Sequence, residues 1–358
     1  MKYVTIFGTR PEAIKLYKLI KLLKNNTVIS TGQHKELLND TLQSLNIKPD
    51  ISLNIMKDNQ TLESLTCSIL ERVTEELKKI KPDIVIVHGD TTTAFASALA
   101  AFYLNIKIAH VESGLRTFNI QSPFPEEANR AMIAKLATYN FAPLESNKIN
   151  LLKENVDENK IFVTGNTVID TLLEFASIDK IPDSLLDYEK YLNKYILVTG
   201  HRRENFGSGF QNICNALIRV AKKFKDVNII YPVHLNPNVK TTVNNMLSNI
   251  DNILLIEPQK YIEFVYLMKK SYFILTDSGG VQEEAPSLNK PVLVMRDTTE
   301  RPEAVLSGGV KVVGTSEDYI YKNCCDLLTK EDLYNKMSNI KNPYGDGLAS
   351  ERIIDIIK

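Results

Sequence analysis

The chain alternates short apolar runs with amphipathic segments of helix length, and this alternation limits the fold more than any other feature. A run such as Asp83–Val87 shows no polar alternation, which is typical of a strand buried in a parallel sheet. Repeated strand–helix units predict an α/β fold. The predicted strands are Tyr3–Phe7, Thr27–Ser30, Asp83–Val87, Ile106–Val111, Ile161–Thr164, Tyr195–Thr199, Asn228–Tyr231, Asn252–Ile256, Tyr272–Thr276 and Pro291–Met295.

The alternation comes in two successive series, with a polar stretch rich in lysine and tyrosine between Pro182 and Tyr195. A length of 358 residues also fits two domains, because a domain typically has about 150 residues. We therefore predict two doubly wound domains, the first over residues 1–180 and the second over residues 181–345.

The charge balance and composition exclude several classes of function. Lys plus Arg (43) equals Asp plus Glu (43), so no net field attracts nucleic acid or a membrane surface. No apolar run reaches the ~18 residues of a membrane span, and the N-terminus has the pattern of a strand rather than of a signal peptide. Four cysteines without CxxC spacing predict reduced thiols in a cytoplasmic protein.

One polar turn has the composition of a phosphate-binding site. The strand Tyr272–Thr276 runs into a turn with Gly279 and Gly280, and a short helical pattern follows. Glycines let the backbone turn sharply and approach a ligand closely, and N–H groups at a helix start attract negative charge. Glu283 or Glu284 could then accept hydrogen bonds from ribose hydroxyls. A tight turn with a glutamate capping its own helix is the alternative.

Unusual polar residues lie just past the carboxyl ends of the predicted strands, where open parallel sheets bind ligands. Arg10 lies in the turn after the first strand, and Lys15 follows about one helical turn later. Cations near a helix start oppose the helix dipole, so these two indicate a ligand. The residues at strand ends are Arg10, His34, His88, Asp90, Glu112, His201, Glu204, His234, Gln259, Asp277 and Arg301.

Three carboxylates, Asp90, Glu112 and Glu126, are candidates for acid–base chemistry. Carboxylates in a closed site can be tuned toward neutrality, as such chemistry requires. Asp90 and Glu126 also come just before helices, so helix N-capping is an equal alternative for those two. The chain has no HExxH, DxD, Cys–His cluster or full GxGxxG, so neither a metal site nor a dinucleotide site is predicted.

Seven motifs are recognisable in order along the chain. They are Gly8–Lys15, His88–Thr93, His110–Arg116, Pro125–Arg130, Gly200–Asn205, Thr276–Pro286 and Arg296–Glu303, and the match extends to Asn342–Gly347. Together they resemble the bacterial non-hydrolysing UDP-N-acetylglucosamine 2-epimerases. The resemblance implies a GT-B architecture of two Rossmann-like domains, with the active site in the cleft between them. It also implies a final helix, at about 346–358, that packs back on the first domain, and a UDP-binding second domain.

The resemblance implies an isomerase that interconverts UDP-GlcNAc and UDP-ManNAc without a metal or a nicotinamide cofactor. In such enzymes UDP leaves in an elimination that makes 2-acetamidoglucal, and it re-adds with the opposite configuration at carbon 2. The resemblance also implies a cytoplasmic homodimer that supplies ManNAc units for surface polysaccharide, with no nucleic acid or membrane partner.

Residue roles are carried over only onto matching positions. The implied catalytic residues are Asp90, Glu112 and Glu126 as acid–base groups and His201 beside the departing phosphate. The implied substrate-binding residues are Arg10, Ser278, Gly279 and Gly280 on the diphosphate, Lys15 and Arg301 as further cations, Gln259 and Phe264 on the uracil, and Glu284 on the ribose.

An allosteric site for a second UDP-GlcNAc is also implied, and here the chain departs from many relatives. Its candidate residues are Gln33, Glu36, Asn59, Arg202 and His234. Asn59 stands where many relatives have arginine, so a charge-assisted contact to a phosphate is lost. We expect catalysis to be retained and allosteric activation to be weaker. A UDP-ManNAc reaction that needed added UDP-GlcNAc would contradict this.

Other functions are favoured less. Hydrolysing relatives, which release ManNAc and UDP, usually begin with a Gly-Thr-Arg-Ala-Asp turn, whereas this chain has Gly-Thr-Arg-Pro-Glu at Gly8–Glu12. A glycosyltransferase of the same two-domain build would need an acceptor groove, which no motif indicates. A non-catalytic nucleotide-sugar binding protein is disfavoured because every candidate catalytic position is filled.

Overall fold

The structure is a computed structural model that describes residues 1–32, 35–56 and 60–358. These residues form two compact units. Unit 1 comprises Met1–Thr171 with Tyr344–Lys358, and unit 2 comprises Leu172–Pro343. In the described residues each unit contains one wholly parallel sheet, of seven strands in unit 1 and six in unit 2. The predicted α/β class with two Rossmann-like halves is confirmed.

Unit 1 alternates strands with helices along the chain. Its strands are β1 (Tyr3–Phe7), β2 (Asn26–Ser30), β3 (Ile51–Ser52), β4 (Ile84–His88), β5 (Lys107–Val111), β6 (Tyr139–Ala142) and β7 (Ile161–Val163). Its helices are α1 (Arg10–Leu22), α2 (Lys35–Ser44), α3 (Leu62–Ile80), α4 (Thr92–Tyr103), α5 (Glu126–Leu136), α6 (Glu145–Lys153) and the start of α7 (Thr167–Ala176), with a 3-10 turn at Glu158–Lys160.

The strand order of unit 1 is β3-β2-β1-β4-β5-β6-β7. The chain moves from β1 outward to β2 and β3, and then places β4 on the other side of β1. This reversal is the switch point of a doubly wound sheet, at whose carboxyl end such folds bind ligands. Every residue of β1 and β4 is buried, as their continuous apolar runs predict.

Unit 2 repeats this plan. Its strands are β8 (Tyr195–Thr199), β9 (Asn228–Pro232), β10 (Ile253–Ile256), β11 (Phe273–Thr276), β12 (Val292–Val294) and β13 (Val310–Val312). Its helices are α8 (Ser208–Lys223), α9 (Pro237–Leu247), α10 (Tyr261–Lys270), α11 (Gly279–Glu284), α12 (Pro302–Leu306), α13 (Glu317–Thr329) and α14 (Glu331–Ser338), with 3-10 turns at Asp183–Tyr191, Arg203–Asn205 and Ala285–Leu288.

The strand order of unit 2 is β10-β9-β8-β11-β12-β13, so its switch point lies between β8 and β11. Phe273 and Leu275 of β11 belong to one buried core together with Phe210, Ile213 and Leu217 of α8. The core therefore fixes β11 along its whole length and leaves the turn after Thr276 at the sheet edge.

The final helix, α15 (Ala349–Ile357), belongs to unit 1. Asp170 accepts hydrogen bonds from the backbone N–H groups of Ala349 (3.1 Å) and Ser350 (2.6 Å), which satisfies donors at the helix start. At the other end, the Tyr3 hydroxyl donates to the carbonyl of Ile357 at 3.2 Å. No helix within the described ranges, α15 included, is long and apolar enough to cross a membrane.

Candidate active site

The turns after β1 and β4 are joined by the buried side chain of Glu12. Its Oε2 accepts the N–H groups of Gly8 (3.0 Å) and Thr9 (2.8 Å), and its Oε1 accepts the Thr91 hydroxyl at 2.7 Å. Burial raises the pKa of Glu12, and these donors oppose that rise. One carboxylate thus fixes the geometry of the switch point in unit 1 and the start of α1, whose first residue is Arg10.

Glu112 follows β5 and has a φ of +63°, a left-handed conformation that is unfavourable for any residue with a Cβ atom. Its Oε2 pairs with Lys15 Nζ and lies 3.5 Å from His88 Nε2. Burial acts to raise the pKa of Glu112, but Lys15 and His88 outweigh burial and hold the pKa well below its usual range. Glu112 is therefore an ionised carboxylate in a strained position. The Lys15 charge that opposes the helix dipole is balanced by Glu112.

His110 is a structural residue. Its Nε2 lies 2.7 Å from the carbonyl oxygen of Gly89, and because a carbonyl only accepts, Nε2 must carry the proton. Burial lowers the pKa of His110 to about 3, so the ring is neutral. The ring thereby holds the turn that contains Asp90.

Asp90 is not the N-cap of α4, so that interpretation is wrong. The N-cap is Thr91, whose hydroxyl accepts the N–H of Ala94 at 3.0 Å. Asp90 Oδ2 instead lies 2.6 Å from a terminal guanidinium nitrogen of Arg130. Burial raises the pKa of Asp90, and the charge of Arg130 opposes the rise.

Glu126 is the half-exposed first residue of α5. The N-cap of that helix is Pro125, so N-capping is wrong for Glu126 as well. The charge of Glu126 acts on Asp90 and favours protonation there. Unit 1 therefore brings the three candidate carboxylates and Lys15 into electrostatic contact around Asp90 and Glu112.

The turns after β8 and β11 in unit 2 are joined by Asp277, which is fully buried. Its Oδ2 accepts the backbone N–H groups of His201 and Arg202, both at 2.8 Å, and the Asn205 amide at 3.3 Å. Its Oδ1 lies 3.5 Å from His201 Nδ1. The carboxylate thus fixes the backbone at His201 and places a negative charge beside its ring.

The imidazole rings of His201 and His234 stack, with centroids 5.4 Å apart and an interplanar angle of 22°. Burial lowers the pKa of His201. Asp277 opposes that effect, whereas His234 and Arg202 add to it. His234 Nδ1 accepts the N–H of Asn236 at 3.1 Å. Two of the predicted allosteric residues, Arg202 and His234, therefore surround a residue predicted to contact the diphosphate.

Gly279 begins α11, and its backbone is not left-handed, nor is that of Gly280. The turn itself therefore does not require glycine, contrary to the expectation from sequence. A Cβ at Gly279 would lie 3.8 and 3.9 Å from guanidinium nitrogens of Arg202 and Arg301. A Cβ at Gly280 would meet only Ser278 Oγ, at 3.9 Å, among the described atoms. The glycines leave open backbone beside two arginines, which suits an anion.

Glu283 and Glu284 do not cap their own helix, so that alternative is wrong. Both are buried. Glu283 pairs with Arg301, and Glu284 accepts the Tyr261 hydroxyl at 2.7 Å. Tyr261 begins α10, which also carries the half-buried Phe264. Glu284 and Phe264, predicted for ribose and uracil, thus lie on two linked helices.

The remaining candidates are Gln259 and three of the predicted allosteric residues. Gln259 precedes α10, and its amide donates to the Glu257 carbonyl at 2.7 Å. Gln33, Asn59 and the side chain of Glu36 lie outside the described residues. Among the residues that the structure does describe, no group of three or more His, Cys, Asp or Glu side chains could hold a metal ion.

Comparison with known proteins decides the family. A family model described as UDP-N-acetylglucosamine 2-epimerase matches residues 22–358. The UDP-N-acetylglucosamine 2-epimerase of Escherichia coli (strain K12) is 52% identical over 370 residues, which cover 100% of this chain and 98% of that relative. The chain belongs to the UDP-N-acetylglucosamine 2-epimerase family. It is therefore an enzyme of that family.

Solved structures of family members agree with this assignment. The UDP-GlcNAc 2-epimerase from Neisseria meningitidis bound to UDP-GlcNAc is 48% identical, with a TM-score of 0.87 over 100% of this chain and 99% of that one. The Methanocaldococcus jannaschii UDP-GlcNAc 2-epimerase in complex with UDP-GlcNAc and UDP is 38% identical, with a TM-score of 0.81 and the same coverage. The GT-B type of α/β fold predicted for this epimerase family member is thereby confirmed.

Three residues of this epimerase family member have contacts that sequence reasoning did not assign. His88 and Asp277 were noticed only as polar residues at strand ends, and their contacts to Glu112 and His201 come from the structure. Arg130 could have been suspected from its helical spacing to Glu127, with which it pairs at 3.3 Å. Its contact to Asp90, across 40 positions, had no sequence signal.

Proposed function

We propose that this protein interconverts UDP-GlcNAc and UDP-ManNAc as a non-hydrolysing epimerase, an isomerase. One observation carries the proposal. Asp90 and Glu112 follow neighbouring parallel strands, and their surroundings shift their pKa values in opposite directions. Such divergence separates an acid from a base in enzyme sites. The full-length similarity to named epimerases supports the substrate.

The proposed reaction is an elimination followed by an addition. A carboxylate of unit 1 removes the proton from carbon 2 while the bond from carbon 1 to the UDP oxygen breaks, which gives 2-acetamidoglucal and UDP. UDP then re-adds to carbon 1, and a second group, acting as an acid, donates a proton to the opposite face of carbon 2. Asp90, Glu112 and Glu126 are the groups proposed for these transfers.

We propose that unit 2 holds the UDP through both steps. Its glycine turn, with the N–H groups of Gly279 and Gly280 and the nearby cations of Arg202 and Arg301, suits a diphosphate. His201 is proposed to contact the departing phosphate, Glu284 the ribose, and Gln259 with Phe264 the uracil. Ser278 completes the proposed set in unit 2, and Arg10 and Lys15 of unit 1 are proposed as further cations for the diphosphate. The UDP-binding domain is proposed as residues 181–345 and the other domain as residues 1–180.

Product analysis by proton NMR in ordinary water tests this proposal. We expect UDP-ManNAc to accumulate from UDP-GlcNAc to a fixed ratio, with no lasting free sugar. Free ManNAc with UDP would instead assign the protein to the hydrolysing branch. Unchanged UDP-GlcNAc would leave a transferase or a binding protein.

We further propose that the enzyme acts in the cytoplasm as a homodimer and supplies ManNAc units for surface polysaccharide. The resemblance to the family supports these proposals. Asn59, in place of arginine, supports the proposal that UDP-ManNAc turnover starts without added UDP-GlcNAc.

A further inference from the structure

We propose that Arg130 is a positioning residue that fixes the orientation and the charge state of Asp90. This inference rests on the proposed function, because it assigns Arg130 a part in the proton transfer at carbon 2. Arg130 acts through Asp90 and is not itself proposed to touch the substrate.

Helix α5 contacts Asp90 at two points. A terminal nitrogen of Arg130 lies 2.6 Å from Asp90 Oδ2, and the Asn129 amide donates to the Asp90 carbonyl at 2.9 Å. One helix thus holds both the side chain and the backbone of Asp90. Arg130 is itself buried, with 7% of its side chain exposed, so the guanidinium has little freedom to leave.

Glu127 supports this arrangement from the same helix. Its Oε2 lies 3.3 Å from the other terminal nitrogen of Arg130. Its Oε1 accepts the N–H groups of Thr117 at 3.0 Å and Phe118 at 2.9 Å, which anchors the loop before α5. Arg130 therefore lies between two carboxylates, and a fixed guanidinium orients both of them.

Asp90 is also subject to the electrostatic influence of four charged groups. The charged groups that act on Asp90 are Arg130 of α5, Glu126 at the start of α5, Glu112 after β5, and Lys15 of α1. Burial and the two carboxylates favour protonation of Asp90. Arg130 is the strongest opposing charge, ahead of Lys15. Arg130 therefore limits how far the pKa of Asp90 rises.

The consequence for the reaction depends on its direction. A group that accepts the carbon-2 proton in one direction must donate it in the other, because each step is reversible. A higher pKa of Asp90 therefore moves the acidic limb of the pH–rate profile upward in the direction where Asp90 is the base. In the opposite direction it moves the alkaline limb upward.

The test measures kcat/KM against pH in both directions for Arg130→Met and Arg130→Lys. For Arg130→Met we expect one limb in each direction to move upward by about 1–3 pH units, the usual effect of a close opposite charge on a carboxyl pKa. Arg130→Lys keeps the charge and should move the same limbs less.

Two further variants separate positioning from folding. Arg116 is also buried and pairs with Glu154 at 2.7 Å, so Arg116→Met removes a comparable ion pair elsewhere in unit 1 and should leave both limbs in place. Glu127→Gln removes the negative charge next to Arg130 and keeps an oxygen for the loop N–H groups. It should move the limbs downward, which is opposite in sign to Arg130→Met, and it serves also if Arg130→Met does not fold.

The outcomes are distinct. The inference is overturned if neither limb of the pH–rate profile moves in Arg130→Met and its activity falls only in parallel with its melting temperature, as in Arg116→Met. Limbs that stay in place in Glu127→Gln would also count against it. A wild-type protein that does not epimerise would instead overturn the proposed function.

Discussion

The switch points of the two sheets are held by the same kind of contact but are surrounded by different groups. In each unit a buried carboxylate joins the turns after the two central strands: Glu12 in unit 1 and Asp277 in unit 2. We call each of these carboxylates, together with the two turns that it links, the joint of its unit. In unit 1 the joint lies among titratable side chains, with Glu112 paired to Lys15 and Asp90 to Arg130. In unit 2 the joint lies beside open glycine backbone and guanidinium groups.

The two regions suit different parts of a reaction. Opposite charges in contact shift each other's pKa values. Groups that transfer protons to and from carbon need pKa values adjusted in this way. Backbone N–H groups and arginines stay fixed in charge and can neutralise a leaving diphosphate without a proton. We therefore propose that unit 1 carries the proton transfers and unit 2 retains UDP.

The largest expected effect comes from removing the ionised carboxylate of unit 1. Glu112→Gln keeps the shape and loses the charge, so kcat should fall by about 10²–10⁴-fold, the usual contribution of a general acid or base. UDP affinity, measured by calorimetry, should stay unchanged. Glu154→Gln, which removes the carboxylate paired with Arg116, is the control and should keep its turnover. Near-normal kcat in Glu112→Gln would remove Glu112 from the mechanism.

Asp277→Asn tests the joint of unit 2 through pH dependence. The charge of Asp277 raises the pKa of His201 against the effect of burial, so its loss should lower that pKa further. If His201 must be protonated beside the departing phosphate, the alkaline limb of kcat moves to lower pH. Turnover above that limb should fall about tenfold for each pH unit of the shift. An alkaline limb that does not move would show that Asp277 only holds the turn.

Gly280→Ala tests whether UDP approaches the glycine turn closely. Among the described atoms the added methyl group would meet only Ser278 Oγ, at an ordinary contact distance of 3.9 Å, so stability should be kept. UDP affinity should fall about tenfold, or ~1.4 kcal/mol. Gly209→Ala makes the same change near the start of α8, where the new Cβ would lie 3.6 Å or more from its neighbours, and should leave UDP affinity unchanged. Equal affinity in both variants would place the diphosphate elsewhere.

Thr91→Ala should have the smallest effect on turnover. It removes the N-cap of α4 and one donor to Glu12, so the free energy of unfolding should fall by about 1–2 kcal/mol in urea titrations. Turnover of the folded enzyme should change little, because the backbone donors to Glu12 remain. Thr66→Ala, at a half-buried threonine of α3 whose hydroxyl donates to the Leu62 carbonyl, is the control. A large loss of turnover in Thr91→Ala would mean that the unit 1 joint is as critical as Asp277.

The fold could be predicted wherever a strand is a continuous apolar run. Three short strands were missed. In β6 the buried Asn140 interrupts the apolar pattern, and its side chain is satisfied by the Ser113 hydroxyl at 2.8 Å, a partner 27 positions away. Strand β3 has only two residues, and β13 has three with Lys311 in the middle, so neither forms a continuous apolar run. Short or internally polar strands are defined by their neighbours in the sheet.

The candidate site could be predicted as a set of strand ends and not as a network. Position after a strand identified Asp90 and Glu112, because parallel strands end at one edge. The partners of these two carboxylates were not equally predictable from the sequence. Lys15 was suspected from its helix position, whereas Arg130 reaches Asp90 only because α5 packs beside the switch point. Shifts in pKa depend on such tertiary contacts, so which carboxylate is ionised is settled only by the folded chain.

The most direct test is to monitor, by proton NMR, the incorporation of deuterium at carbon 2 while the enzyme converts UDP-GlcNAc in deuterated water. We predict UDP-ManNAc that carries deuterium at carbon 2. We expect the same label from Gly280→Ala at saturating substrate, and a label that forms about 10²–10⁴-fold more slowly in Glu112→Gln. UDP-ManNAc that retained the original carbon-2 proton in the wild-type enzyme would contradict proton abstraction by unit 1, and with it the proposed division between the two units.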